Sequence, residues 1–185
     1  LEEFKKIRWS SENRVFNELC FCILTAHFNA ERAIKIQKEV GGGFLNLSEY
    51  ELSKKLKDLG HPFYRIRARF IVEARKYKSL LKKIIEEEKD SRKIREWIVK
   101  RIKGLGYKEA SHFLRNIGYF NVAIIDFHIL DLLERYNLIN RPKTLTRRKY
   151  LEIERFLEEI AKSVNLTLGE LDLYMWYMET GEIMK

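Results

Sequence analysis

Lys108 is the residue whose placement most strongly suggests covalent chemistry. It lies two residues after a Gly-Leu-Gly turn, in the segment "GLGYKEA" that runs from Gly104 to Ala110. The positive end of a helix dipole disfavours an ammonium group in the first turn. Other cations add to this effect, and the basic residues nearby in sequence are Arg101, Lys103 and Arg115. A neutral amine in this position can attack an electrophilic carbon, although an exposed lysine that contacts phosphate is the alternative.

Asp126 is the second candidate and follows Lys108 by eighteen positions, at the end of an apolar run over residues 122–125. It can cap the helix that follows, and a capped carboxylate is well placed for chemistry. Near a reacting sugar, its charge could stabilise an oxocarbenium-like transition state. His128, two residues later, is expected to orient a neighbour or to pack in the core.

Two further features suit DNA. The glycines of the turn, Gly104 and Gly106, leave backbone N–H groups open to a phosphate at the start of a helix; a purely geometric role for them is the alternative. Arg65 and Arg67 lie close to Phe63 in "FYRIRARF", and basic residues interleaved with aromatic residues suit phosphate contact. A solvated helix face would give the same pattern.

Composition points the same way. The 185 residues carry 36 Lys and Arg against 27 Asp and Glu, a net charge of +9. A basic excess of this size is typical of a nucleic-acid-binding protein, although it also serves solubility. The sequence contains no apolar run of membrane-spanning length and no signal-peptide pattern. We therefore expect a cytoplasmic, nucleoid-associated protein with no membrane partner.

The cysteines limit the kinds of site that the chain can form. Cys20 and Cys22 are the only two, and they are expected to share one helix. Two such residues cannot form a disulfide framework or the usual four-ligand zinc or iron–sulfur site. We predict no metal and no cofactor.

Apolar residues recur at helical spacing along nearly the whole chain. Capping signals mark several helix starts, and they are Ser48 with Glu51, Ser91, Asp126, Thr146, and Thr167 with Glu170. Only residues 122–125 could form an extended segment. The sequence thus predicts an all-α protein of eight to ten helices, organised as one domain or a compact two-lobed unit.

The motifs together resemble the helix-hairpin-helix DNA glycosylases. "GLGYKEA" matches Gly-hydrophobic-Gly-x-Lys-x-Ala, "AIIDFH" matches a hydrophobic run ending in Asp-x-His, and their separation also matches. More narrowly, "HFLRNIGYFNVAIIDFHIL" and "LYMWYMETGEIMK" are similar to the short archaeal-type 8-oxoguanine glycosylase/AP lyases. The likeness extends over nearly the whole chain. The cysteines that hold the iron–sulfur cluster of endonuclease III and its relatives are absent.

This resemblance implies a single glycosylase domain over residues 1–185. Its two helical lobes would flank a DNA-binding cleft, and its hairpin would span about 91–118. It implies a nucleophilic Lys108 and a catalytic Asp126. The last residue, Lys185, would help to recognise the damaged base; its carboxylate can accept the N7 hydrogen that distinguishes 8-oxoguanine from guanine. Trp176 could stack on a flipped purine or pack on a second core face.

Asp172 is predicted to lie on the same face of the last helix as Trp176. It is assigned to substrate recognition, as is Phe63. The family often has Gln or Asn where this chain has residues 27–29, His-Phe-Asn. The residues that fill the gap left by the flipped base therefore stay open.

The sequence thus predicts a monomeric repair enzyme for double-stranded DNA that contains 8-oxoguanine or abasic sites. It would excise the base and nick the strand by β-elimination through a lysine Schiff base. Two alternatives stay open at this point. One is a non-catalytic helix-hairpin-helix module that only grips DNA, and the other is a glycosylase for a different damaged base.

Overall fold

The computed structural model describes residues 2–181, and these residues form helices with no strand among them. The all-α prediction is confirmed. The chain divides into two compact units, Leu1–Gly118 and Tyr119–Lys185, each of which is described by itself. Within the described range there are twelve α-helices, more than the eight to ten expected. The excess comes from short helices such as Gly43–Asn46, whose four residues are too few to show a periodic pattern.

The first unit contains nine α-helices and one 3₁₀ turn. Their bounds are α1 Glu2–Arg8, α2 Glu12–Thr25, α3 Ala30–Val40, α4 Gly43–Asn46, α5 Glu49–Asp58, α6 Tyr64–Ala74, the 3₁₀ turn Arg75–Tyr77, α7 Lys78–Glu87, α8 Ser91–Arg101 and α9 Tyr107–Asn116. The 3₁₀ turn thus separates α6 from α7.

Helix α2 is the centre of the first unit. From Val15 to Thr25 nearly every side chain is buried, and a helix that is apolar on all sides must be surrounded by others. It packs against α3, α6, α7 and α9. A buried polar contact joins it to α9, because Asn116 Nδ2 donates to Glu18 Oε1 at 2.7 Å. The helix that bears Lys108 is therefore anchored to the core of its unit.

The second unit contains three helices, α10 Phe127–Arg135, α11 Arg147–Ser163 and α12 Leu168–Thr180. Helix α12 packs against both α10 and α11. The apolar segment 122–125 precedes α10 and is buried without being helical. Gly181 ends α12 in the left-handed conformation, with φ of 73°.

Most capping signals are where the sequence placed them. Ser48 with Glu51 and Thr167 with Glu170 form capping boxes, and Asp126 and Thr146 cap their helices. The exception is α8, where the cap is Asp90, whose side chain accepts from the Arg92 N–H, and Ser91 is the first helical residue. Asp and Ser are about equally good N-caps, so local sequence could not choose between two adjacent ones.

No helix in the described part of the chain is both long and apolar enough to cross a membrane. Residues 2–181 also contain no cluster of three or more His, Cys, Asp or Glu side chains that could hold a metal ion. Cys20 and Cys22 are both buried in α2.

Candidate active site

Lys108 lies in the first turn of α9, as the sequence predicted, and its side chain is partly exposed. Its amine makes no hydrogen bond or ion pair with another described residue. The basic neighbours are engaged elsewhere: Lys103 Nζ lies 2.9 Å from Glu73 Oε2, and the Arg115 guanidinium lies over the Phe4 ring. The Lys108 amine is thus left available to an incoming group.

The turn that precedes Lys108 depends on Gly104. Its φ is +85°, in the left-handed region, and a Cβ atom there would lie 2.4 Å from Cδ2 of Phe70. A side chain would therefore be strained by the backbone conformation and would also clash with an aromatic ring. The glycine lets α8 and α9 join closely over Phe70.

Gly106 is the N-cap of α9, and its N–H donates to Glu109 Oε2 at 3.2 Å. A carboxylate thus takes one of the N–H groups that were expected to hold a phosphate. This contact was missed at the sequence level. The signal for it was present, because a Glu three residues after a cap is half of a capping box.

Arg67 differs from its predicted role as a phosphate contact. It is only 7% exposed, and its Nη2 donates to the Ala26 carbonyl at 2.6 Å. Burial lowers the pKa of the Arg67 guanidinium, and the negative charge of Glu109 opposes that shift. Arg67 therefore bonds to the connection between α2 and α3. Arg65 is exposed and stays the candidate for a contact with the DNA backbone.

Phe63 is 43% exposed at the start of α6. The Arg67 guanidinium lies over its ring at 5.6 Å, and its N–H donates to His61 Nδ1 at 3.1 Å. Because Nδ1 accepts, Nε2 must carry the proton of the neutral ring, and it donates to the Leu24 carbonyl at 3.0 Å. Two buried residues, Arg67 and His61, therefore hold the exposed Phe63 ring in place.

In the second unit, Asp126 is the N-cap of α10. Its Oδ1 accepts the Ile129 N–H at 3.1 Å, and Oδ2 has no hydrogen-bond partner among the described residues. The side chain is partly exposed. One oxygen thus fixes the carboxylate while the other is available, and the two expected roles of Asp126 are compatible in this geometry.

The aromatic residues beside Asp126 contact one another. The His128 ring centre lies 3.9 Å from that of Phe127 and 5.3 Å from that of Trp176, to which it is perpendicular. Trp176 and Asp172 are both partly exposed on α12. Phe127, which is 59% exposed, extends this aromatic group to the surface.

Apolar residues recur at helical spacing along α12, but they are not all buried. Leu168, Leu171 and Met175 are buried, whereas Met178, which continues their spacing, is 59% exposed. Lys185 lies outside the described residues, so its predicted role in recognition stays a prediction.

Comparison with known proteins agrees with the family that the sequence motifs resemble. The sequence model of the family described as 8-oxoguanine DNA glycosylase matches residues 1–166. A protein of Methanocaldococcus jannaschii named 8-oxoguanine DNA glycosylase/AP lyase is 57% identical over 186 residues, covering 100% of this chain and 89% of its own. A protein of the same name from Korarchaeum cryptofilum is 54% identical, with coverages of 100% and 88%.

Solved structures of proteins named 8-oxoguanine glycosylases also match this chain. The M. jannaschii 8-oxoguanine glycosylase/lyase in complex with a 15-mer DNA containing 8-oxoguanine is 57% identical to this chain. It aligns with a TM-score of 0.96 over 100% of this chain and 89% of its own. The 8-oxoguanine DNA glycosylase of Thermotoga maritima is 43% identical, with a TM-score of 0.94 and coverages of 100% and 88%.

Proposed function

The chain belongs to the 8-oxoguanine DNA glycosylase family, and from this premise we propose that Lys108 and Asp126 are its catalytic residues. The activity is excision of 8-oxoguanine from DNA, followed by lyase cleavage at the abasic site. The alternative of a non-catalytic DNA-gripping module is disfavoured, since the full-length relatives are named as enzymes.

A base inside a duplex cannot be attacked at its sugar, so the nucleotide is rotated out of the stack. Lys108 Nζ then attacks C1′ as the bond from C1′ to the base nitrogen breaks, and the bond electrons leave with the base, which takes up a proton. In this proposal the negative charge of Asp126 stabilises the positive charge that develops on the sugar. The sugar ring opens to give a Schiff base between C1′ and Lys108.

The lyase step follows from that Schiff base. Loss of a proton from C2′ expels the 3′ phosphate, which breaks the strand by β-elimination. Hydrolysis of the Schiff base then restores the Lys108 amine. The observation that supports this assignment is the uncommitted amine of Lys108 directly after the hairpin turn, in contrast to the paired amine of Lys103.

Borohydride trapping on a duplex with one 8-oxoguanine tests the assignment. Lys108→Gln is expected to abolish both the trapped protein–DNA adduct and nicking. The matched control is Lys103→Gln, which removes one charge from the same turn and should change either rate by no more than about fivefold, as expected for a surface ion pair. Trapping at the wild-type rate by Lys108→Gln would assign the chemistry to another amine.

The proposal also includes the other predicted site residues. Phe63, Asp172, Trp176 and Lys185 are assigned to the damaged base, and Gly104, Gly106 and Arg65 to the DNA backbone. A single glycosylase domain acting as a monomer in the cytoplasm, where the DNA lies, completes it. Excision assays across duplexes with different damaged bases test the base assignment, and sedimentation with and without DNA tests the monomer.

A further inference from the structure

Residues 122–125, which lead directly into Asp126, are buried but not helical. The four side chains are between 0% and 7% exposed. A buried segment that is not helical carries backbone N–H and C=O groups that must find hydrogen-bond partners. A neighbouring strand normally supplies them, but the described residues contain no strand.

Two side chains of α11 supply partners for this segment. The Tyr150 hydroxyl donates to the Ala123 carbonyl at 2.7 Å and accepts the Ile125 N–H at 3.2 Å. The Glu154 carboxylate accepts the Ala123 N–H at 2.9 Å. Both side chains are only 2% exposed, and their spacing of four residues puts them on one face of α11.

The geometry imitates one edge of a β-ladder. In an extended chain, the N–H and C=O of alternate residues point to the same side, and here both groups of Ala123 and the N–H of Ile125 bond to side chains of α11. Tyr150 and Glu154 therefore supply hydrogen bonds that a neighbouring strand would otherwise provide. They fix the backbone one and three residues before Asp126, while the cap on Ile129 fixes it on the other side.

We infer that Tyr150 and Glu154 are positioning residues for the carboxylate of Asp126. This inference rests on the proposed catalytic role of Asp126. Its physical basis is that a displacement of about 1 Å in a reacting group can cost 10²-fold in rate. Holding the segment from both sides limits such displacement at the sugar.

Tyr150→Phe removes the hydroxyl and leaves the ring. The Ala123 carbonyl and the Ile125 N–H then lose this partner, so the segment relaxes toward other positions. We expect the single-turnover rate of 8-oxoguanine excision to fall by roughly 10- to 100-fold. DNA affinity should stay close to that of the wild type, because no group on the DNA-contacting surface changes.

A double-mutant cycle with Asp126→Asn separates positioning from general stability. If Tyr150 acts through the Asp126 carboxylate, Tyr150→Phe should have little further effect on the excision rate once that carboxylate is gone. Losses that multiply independently in the double variant would overturn the inference. A wild-type rate for Asp126→Asn alone would instead overturn the proposed role of Asp126, and this inference with it.

Glu154 provides a second, independent pair of variants. Glu154→Gln keeps an acceptor oxygen for the Ala123 N–H and should retain most of the activity, whereas Glu154→Leu keeps the bulk but lacks the acceptor and should lose activity as Tyr150→Phe does. Equal rates for these two variants would count against positioning. This pair tests the inference even if Tyr150→Phe does not fold.

The packing control is Ile153→Ala, a buried residue on the same helix. All variants are assayed at a temperature where circular dichroism shows each of them to be folded. Ile153→Ala should lower the melting temperature without a comparable loss of excision rate. If it lowers the rate as much as Tyr150→Phe does, both in the wild-type and in the Asp126→Asn background, the effect is one of stability and positioning is excluded.

Discussion

The guanidinium carbon of Arg95 lies 5.2 Å from the centre of the Tyr107 ring, so a buried cation of α8 stacks on the residue that directly precedes Lys108. Arg95 is completely buried, and its Nη1 donates to Ser111 Oγ at 3.1 Å. The Tyr107 hydroxyl donates to Glu96 Oε1 at 2.6 Å. Polar contacts on both helices therefore brace the start of α9 against α8, next to the proposed nucleophile.

Arg95→Met should weaken this brace, because it removes the cation and its hydrogen bond but retains much of the apolar volume. We expect the free energy of unfolding to fall by about 1–3 kcal/mol, as measured by urea denaturation. The control is Arg101→Met, since Arg101 is an exposed residue over Trp97. It should cost less than about 1 kcal/mol, and equal losses would contradict a special role for Arg95.

Asp126→Asn retains the capping ability of the side chain, since Asn and Asp are about equally good N-caps. It removes the negative charge near the sugar. The single-turnover excision rate should therefore fall by at least ~10²-fold, while the melting temperature changes little. A large loss of stability combined with nearly normal excision would mean that Asp126 serves only as a cap.

Gly104→Ala tests the hairpin turn. The left-handed backbone and the clash with Phe70 should lower the free energy of unfolding by more than about 1 kcal/mol and should weaken DNA binding. Gly42→Ala is a suitable control, because Gly42 has a helical φ of −62° and nothing within 4 Å of the added Cβ. Similar stability and affinity for the two variants would show that the turn tolerates a side chain.

His61 should make stability depend on pH. Burial lowers the pKa of His61 below its ordinary value of 6.5, and the hydrogen bond to the Leu24 carbonyl opposes that shift. As the pH falls, the unfolded chain therefore takes up a proton at this site at a higher pH than the folded chain does. The free energy of unfolding should decrease as the pH falls below about 6.5.

Urea denaturation at pH 7.5 and 5.5 measures this dependence. His61→Gln removes the titrating group and should reduce the difference between the two pH values. His27→Gln, at an exposed position, should keep that difference. If His61→Gln leaves the pH dependence unchanged, another group is responsible for it.

Much of this protein could be predicted from local sequence. Helical class follows from apolar spacing, and the helix starts at Ser48, Asp126, Thr146 and Thr167 follow from side chains that bond to N–H groups within three residues. The same is true of the turn before Lys108, since a glycine followed by a helix start is a local pattern. Such features were predictable because the interacting groups are neighbours in the chain.

Only the tertiary structure decided which side chains are buried and which distant groups they contact. Arg67 looked like a surface arginine beside Phe63, but it donates to Ala26, 41 residues earlier. Met178 continued the apolar spacing of α12 and is nevertheless 59% exposed. Tyr150 and Glu154 reach Ala123 across 27 and 31 residues. Periodicity shows which face of a helix is apolar, but partners this distant are set by how the helices pack, and spacing along the chain carries no information about that.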